Sequence, residues 1–394
     1  PGQAAFDELV KAHHEPFRFN KSGGGALNEA FISAWYNHNN DVFFDGVEET
    51  FYHYDPMSGL WKAKDKDLIA SDMWGQIRKL IDINVAGMEA IGEKDAAERF
   101  RGLKGSITNK FLNSATEMLK KQHSDAKGSP FGNRKRIIHA LNGVVDITVP
   151  PHSFSPEFDK SYYSRNQSPF LYVPGKDCPR FKNELLGSQL APDDIDVIQR
   201  WLGMAIMGPN RAQVIMMITG EAGSGKSTLS SILIKMIGEQ NFTELRTQHL
   251  GDSRFETSHY LGKSLLFGSD VDSSFFQRGG ASRLKALTGG DVQTVEMKRK
   301  GTAQIRGEFN VLLNANSRIT VALQGDKGAW KRRLILIPFE KPADPAKRIP
   351  DFDKVLIHEE GDGILNWAIE GAEKFVADGK VDTTKVRVFF TTPT

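Results

Sequence analysis

Apolar residues in the first 150 positions follow two different periods, which predicts a mixture of strands and helices. An extended aromatic run at 51–54 is closed by a turn-like segment at 55–59, and this order favours a hairpin. Between residues 65 and 121, apolar side chains recur at helical spacing. Asn142 and Gly143 separate two short apolar runs and predict a second hairpin. We therefore expect an N-terminal domain that is mixed α/β or helical.

The pattern changes after Pro150-Pro151. Residues 151–190 are rich in Pro, Ser and aromatic side chains and predict irregular structure. A helix is expected from Pro192 to about Met207, and Gly208-Pro209 then forms a boundary. The segments predicted beyond it are strands at 214–219, 264–268, 309–313 and 334–337 and a helix at 226–237. Strands that alternate with helices in this way predict a parallel sheet covered on both faces.

Composition adds a few constraints. A chain of 394 residues is longer than one compact domain usually needs, so two or three domains are expected. The single cysteine, Cys178, excludes an intramolecular disulfide. No apolar run is long enough for a membrane span or a signal peptide, so a cytoplasmic setting without a membrane partner is expected. Because the chain begins with Pro1 rather than methionine, we also expect further domains upstream.

A glycine-rich segment at 220–227 matches the phosphate-loop pattern in full, between an apolar strand and an amphipathic helix. The glycines let backbone N–H groups surround the phosphates, Lys226 reaches the β- and γ-phosphates, and the Ser227 hydroxyl binds Mg²⁺. The sequence therefore predicts ATP and Mg²⁺ as cofactors. The predicted nucleotide-binding residues are Gly220, Glu221, Ala222, Gly223, Ser224, Gly225, Lys226, Ser227 and Thr228.

Polar residues follow two of the other predicted strands, where parallel sheets place ligand-binding groups. Asp270 is expected to bind Mg²⁺, and Asp272 to orient or deprotonate the attacking water. The third strand is followed by Asn314-Ala315-Asn316, and an amide there can hydrogen-bond both the γ-phosphate and that water. Arg332 and Arg333 precede the last strand, and either of them is a candidate for contacting a neighbouring subunit's nucleotide. The alternatives left open are that Asp270 and Asp272 belong to an ordinary polar loop and that Arg332 and Arg333 are ordinary surface arginines.

A basic tripeptide, Lys298-Arg299-Lys300, lies between the second and third strands of the predicted sheet. It has the character of a hairpin tip. If subunits form a ring and this tip faces the pore, the three side chains would bind one DNA strand through its phosphates without reading sequence. An ordinary solvated turn explains the tripeptide equally well.

The order of these motifs resembles that of the superfamily 3 helicases of phages, plasmids and DNA viruses. The segments 284–291 and 330–339 are similar to those of phage and plasmid primase–helicases related to the poxvirus enzyme. The likeness extends over about residues 50–380 and includes the segment 360–367. It implies an α/β, AAA+-type P-loop NTPase core that forms a hexameric ring, with ATP at subunit interfaces. It further implies that Asn316 acts as the sensor of the γ-phosphate and that Arg332 or Arg333 acts as the finger in trans. It also implies single-stranded or forked DNA as the partner and a bacterial host cytoplasm as the setting.

The resemblance also implies a division of the chain. An N-terminal accessory or collar domain is expected at 1–150, linker and collar helices at 151–210, the helicase motor at 211–345 and a C-terminal helical segment at 346–394. Asp270 and Asp272 depart from the family, which usually carries glutamates there. A primase or primase–polymerase domain is expected upstream or in trans, because no primase metal triad or zinc-site cysteine cluster is evident in the sequence.

Three functions follow from these patterns. The first is an ATP-driven ring DNA helicase that acts in the replication of a phage, plasmid or other mobile element. The second is an origin-binding initiator that uses ATP as an assembly switch without processive unwinding. DNA-stimulated turnover distinguishes the two. A small-molecule kinase with the same phosphate loop is the third, and it leaves the basic tripeptide and the arginines unexplained.

Overall fold

The computed structural model describes residues 3–21, 24–122, 129–132, 136–248, 250, 256–271, 275, 280–297, 301–316, 330–341, 346 and 348–381. The chain divides into two compact units, Pro1–Asn133 and Arg134–Thr394. This division falls earlier than the boundary expected near residue 150. The reason is that Ile138 and Val145, in the hairpin at 137–146, pack in the core of the second unit.

The first unit is mixed α/β, as the sequence predicts. Its elements are α1 (Gln3–His13), β1 (Phe17–Phe19), β2 (Gly25–Leu27), α2 (Glu29–Asn40), β3 (Val42–Asp45), β4 (Thr50–Asp55), β5 (Leu60–Lys64), α3 (Lys66–Ala90), α4 (Lys94–Gly102) and α5 (Asn109–Gln122). The predicted hairpin is the β4–β5 pair, and β3 joins it to form an antiparallel sheet. Helix α3 buries Ile69, Met73, Ile77 and Ile81, which repeat every four residues and so share one helix face.

The second unit contains the elements predicted for an α/β core. They are β6 (Ile137–Ala140), β7 (Gly143–Asp146), β8 (Ser153–Ser155), a π-helix (Phe181–Leu186), α6 (Pro192–Ile206), β9 (Ile215–Gly220), α7 (Lys226–Ile237), β10 (Phe242–Glu244), β11 (Leu265–Gly268), α8 (Gly280–Thr288), β12 (Val292–Met297), β13 (Gly301–Arg306), β14 (Asn310–Ala315), β15 (Leu334–Phe339) and α9 (Phe352–Asp378). None of the described helices is long and apolar enough to cross a bilayer.

Five strands form a parallel sheet in the order β10-β11-β14-β9-β15. Alternate residues of β9 face opposite sides. Met216 and Ile218 belong to the same core as α6, α7 and α9, whereas Met217 packs on the other side with Leu284 and Leu287 of α8. Helices therefore flank the sheet on both faces, as the sequence predicts.

The strands are all parallel, so their carboxyl ends lie at one edge of the sheet. Phe339 at the end of β15 is opposite Gly220 at the end of β9, and Ala315 of β14 is opposite Thr219. The predicted end of the third strand at residue 313 was wrong, because β14 continues to Ala315. Asn314 therefore lies within the strand rather than after it.

Candidate functional site

The glycine-rich loop joins the carboxyl end of β9 to the first turn of α7. Its backbone has positive φ angles at Gly220 (144°), Gly223 (78°) and Gly225 (100°), which L side chains rarely adopt. At Gly220, an added methyl group would lie 1.9 Å from the carbonyl oxygen of Phe339 on β15. The loop can therefore follow this path only with glycine at these positions.

Lys226 points back across this loop. Its side chain is buried, and its Nζ donates hydrogen bonds to the carbonyl oxygens of Gly220 and Glu221, both at 2.6 Å. Burial lowers the pKa of Lys226, and the nearby charges of Asp270 and Glu221 oppose that change. The Ser224 hydroxyl donates to the same Glu221 carbonyl at 2.8 Å. The loop thus encloses an ammonium group whose present partners are neutral carbonyls.

A cavity of about 1040 Å³ opens at this edge of the sheet. It brings together most of the residues predicted from the motifs. Those that line it are Ala222, Gly223, Ser224, Gly225, Lys226, Ser227, Thr228, Asp270 and Asn316. Gly220 and Glu221 contact the Lys226 ammonium through their carbonyl oxygens.

Asp270 and Asn316 meet across the ends of β11 and β14. The Asn316 amide Nδ2 donates to Asp270 Oδ1 at 2.9 Å, and both residues are exposed. Asp270 has a φ of 49°, in the left-handed region that aspartate tolerates better than most residues. The Val271 N–H donates to the Asn314 carbonyl at 2.8 Å and ties the two strand ends together. Asp272, the other predicted carboxylate, lies outside the described residues.

Asn314, from the 314–316 motif in which an amide was expected, also lines the cavity, whereas the sequence did not indicate Lys341 or Arg348. Asn314 is buried, and its Oδ1 accepts a hydrogen bond from the Ser230 hydroxyl of α7 at 2.9 Å. Lys341 comes shortly after β15, so the strand-end rule that indicated Asp270 would also have found it. Arg348 follows no strand directly and has no comparable signal.

The two arginines predicted to act in trans, Arg332 and Arg333, lie at the edge of the sheet opposite the glycine-rich loop. Arg332 and Arg333 precede β15, whose first residue Leu334 is opposite Ile215 at the start of β9. Arg332 is exposed, and Arg333 Nη2 donates to Gln213 Oε1 at 3.3 Å. The six residues of β15 separate these arginines from the glycine-rich loop by about 20 Å. An arginine side chain is too short to cover that distance, so neither arginine reaches the cavity of its own chain.

The predicted basic tripeptide belongs to the connection between β12 and β13. These strands pair antiparallel, with Met297 opposite Gly301. Lys298, Arg299 and Lys300 lie outside the described residues, so their proposed role stays a prediction.

Comparisons with known proteins add two family matches. Residues 29–186 match a family described as "D5 N terminal like", and residues 218–333 match a "Family of unknown function (DUF5906)". Two solved structures of the NrS-1 C-terminal region, both apo, are each 15% identical to this chain. The match to the A form covers 90% of this chain and 70% of the NrS-1 chain, with a TM-score of 0.47. The match to the second structure covers 91% of this chain and 71% of the NrS-1 chain, with a TM-score of 0.48.

Each of the two family matches covers less than half of the chain. The motif order at the sheet edge resembles that of a superfamily 3 helicase module. The match of residues 29–186 to the D5 N-terminal-like family agrees with the resemblance to phage and poxvirus primase–helicases that the sequence motifs indicated. The resemblance that the sequence motifs indicated is therefore confirmed.

Proposed function

We propose that the second unit is a P-loop NTPase of the AAA+ type, which hydrolyses ATP with Mg²⁺ to drive a ring-shaped helicase along DNA. The observation that carries this proposal is the convergence of Lys226, Asp270 and Asn316 on one cavity. These three side chains come from three different sheet connections, yet their chemistry is what phosphoryl transfer requires.

The order of the sheet supports the AAA+ assignment. Strand β14 lies between β9, which leads to the glycine-rich loop, and β11, which leads to Asp270. Asn316 at the end of β14 is thus placed beside the carboxylate. This position suits an amide that senses the γ-phosphate and orients the attacking water.

The residues present fit ATP and Mg²⁺. The first turn of α7 offers unpaired N–H groups and a partial positive charge to the phosphates. Lys226 would exchange its two carbonyl partners for phosphate oxygens, and that exchange gains a charge-assisted interaction. Ser227 and Asp270 would bind Mg²⁺, which neutralises charge on the phosphate oxygens when it is bound.

A complete site requires a second copy of the chain. Arg332 and Arg333 are separated from their own cavity by the length of β15. An adjacent subunit whose Arg332 and Arg333 face this cavity would supply the positive charge that the chain's own arginines cannot bring to the phosphates. This arrangement fits a closed ring, most simply a hexamer as in superfamily 3, with Lys298, Arg299 and Lys300 proposed to bind the DNA backbone in the pore. A primase domain is proposed to act upstream or in trans.

The direct test measures the ATPase rate with and without single-stranded DNA, together with the mass of the assembly in the presence of ATP. A helicase motor predicts stimulation by DNA and a mass near six subunits. ATP-dependent assembly with turnover that DNA does not change would favour the initiator. A monomer whose turnover ignores DNA would contradict both.

Exchanging Asp270 for asparagine tests the metal site. Asp270→Asn is expected to lower Mg²⁺-dependent turnover by roughly 100-fold, because a neutral amide oxygen is a much weaker Mg²⁺ ligand than a carboxylate. Asp270 is exposed, so the fold should be retained. The measurement is the ATPase rate as a function of Mg²⁺ concentration.

Asp351 provides a matched control for this exchange. It also has a φ of 49° and is exposed, and it does not line the cavity. Asp351→Asn should therefore leave the Mg²⁺ dependence unchanged. An Asp270→Asn variant with the wild-type dependence on Mg²⁺ would remove Asp270 from the metal site.

A further inference from the structure

Besides the glycine-rich loop, the cavity is lined by the π-helix with the residues that follow it and by the segment that leads into α9, which together form what we call the second compartment. Its apolar walls come from Leu185 on one side and from Ile349 and Phe352 on the other. Ser188 and Gln189 add polar groups. Apolar walls with a few polar groups are typical of sites that hold a flat organic ring.

This compartment adjoins the glycine-rich loop directly. A methyl group built on Gly225 would lie 3.6 Å from Leu185 Cδ1, which is ordinary van der Waals contact. A nucleotide whose phosphates lie in the loop would therefore place its base next to Leu185. Glu239, which follows α7, also lines the cavity, and its carboxylate pairs with Lys235 at 3.2 Å.

Gln189 lines this compartment, but its amide oxygen is not exposed to the open space. Its amide oxygen is buried and accepts no hydrogen bond from the residues that the structure describes. Its backbone is held in place, because the Gln189 N–H donates to the Leu186 carbonyl at 3.0 Å. A buried acceptor without a donor destabilises the fold, so rotation of this amide into the cavity, toward a donor on a ligand, would be favourable.

We propose that Gln189 recognises the base of the bound nucleotide and selects a 6-aminopurine. Its amide oxygen would accept a hydrogen bond from the exocyclic amino group, and its amide nitrogen would donate to the neighbouring ring nitrogen. Leu185 and Phe352 would pack against the ring. This inference rests on the proposed function, because it assumes that the triphosphate lies in the glycine-rich loop.

Helix α9 holds the two walls of this compartment together. The Glu360 carboxylate accepts hydrogen bonds from the N–H groups of Arg180 at 2.9 Å and Phe181 at 2.8 Å, at the start of the π-helix. Phe181 also packs edge-on against Trp367 of α9, with ring centroids 5.2 Å apart. Since Phe352 begins the same helix, both walls are attached to one rigid element, and the spacing between them is fixed before a base binds.

The test compares three ligands in the presence of Mg²⁺ by calorimetry: ATP, purine riboside triphosphate, which lacks only the exocyclic amino group, and inorganic tripolyphosphate. The wild-type chain should bind ATP about 3- to 10-fold more tightly than purine riboside triphosphate, as expected for one hydrogen bond. In Gln189→Leu this preference should vanish, while the affinity for tripolyphosphate stays at the wild-type value.

Gln240→Leu is the matched control, because Gln240 is exposed and does not line the cavity. It should keep the preference for ATP. Equal affinity of the wild-type chain for ATP and purine riboside triphosphate would overturn the role of Gln189 without any variant. A preference that survives in Gln189→Leu would overturn it too. If neither ATP nor tripolyphosphate binds the wild-type chain, the proposed nucleotide site itself is wrong, and the base site with it.

Discussion

Replacing Lys226 with alanine is expected to abolish ATP hydrolysis. The Lys226 ammonium is buried at the centre of the glycine-rich loop, and its Nζ lies 2.6 Å from two carbonyl oxygens that a phosphate would displace. Alanine leaves no group that can stabilise the charge of the transferred phosphoryl group. We expect turnover to fall by roughly 1000-fold or more, as measured by steady-state phosphate release.

Lys235 provides the control for this substitution. It lies on the same helix, α7, and pairs at the surface with Glu239. Lys235→Ala should keep wild-type turnover, because surface ion pairs contribute little to stability and this one lies away from the loop. Substantial turnover in Lys226→Ala, with a thermal unfolding midpoint like that of the wild type, would place hydrolysis somewhere other than the glycine-rich loop.

Replacing Arg333 with alanine is expected to leave ATP binding intact and to reduce turnover by about 1000-fold. Arg333 lies at the edge of the sheet opposite its own loop, so the substitution leaves the nucleotide contacts of its own chain in place. It removes positive charge only from the site of a neighbouring subunit. Nucleotide binding by calorimetry and phosphate release measure the two effects separately.

Mixing variants tests whether the arginine acts between subunits. A Lys226→Ala chain keeps its arginines, and an Arg333→Ala chain keeps its loop, so a mixed ring contains some complete sites. Recovery of ATPase activity on mixing two inactive variants would support action in trans. Parallel Arg332→Ala and Lys331→Ala variants identify which basic residue is responsible, because all three are neighbours before β15. Failure of every mixture to recover activity would contradict the trans model.

The parts of the fold that follow from local pattern were predictable. The helix at 226–237 was predicted at its observed bounds, because the glycine-rich motif defines its start and Gly238 ends it. The parallel sheet followed from apolar runs that alternate with helical patterns. Strand ends were less accurate. Asn314 is polar, so the pattern predicts a loop there. In the structure it lies within β14, and its side chain accepts a hydrogen bond from Ser230.

Other parts of the site depend on contacts between segments far apart in the sequence. The sequence pattern of segment 151–190 indicates irregular structure. The start of its π-helix is stabilised by Glu360 of α9, which accepts hydrogen bonds from the N–H groups of Arg180 and Phe181. No local pattern relates residues separated by 180 positions. Gln189 was missed for the same reason. It lines the cavity together with Ile349 and Phe352, which are far from it in the sequence.

The strand that separates Arg333 from its own loop has a consequence for how defective chains behave. Each chain has its loop at one edge of the sheet and its arginines at the other. In the proposed ring, a chain that lacks the arginine would therefore keep its own site and disable an adjacent one. Defective copies produced beside normal copies would then lower the output of the normal ones. The genetic expectation is dominance: one altered allele, supplied in excess, suppresses replication that depends on this protein.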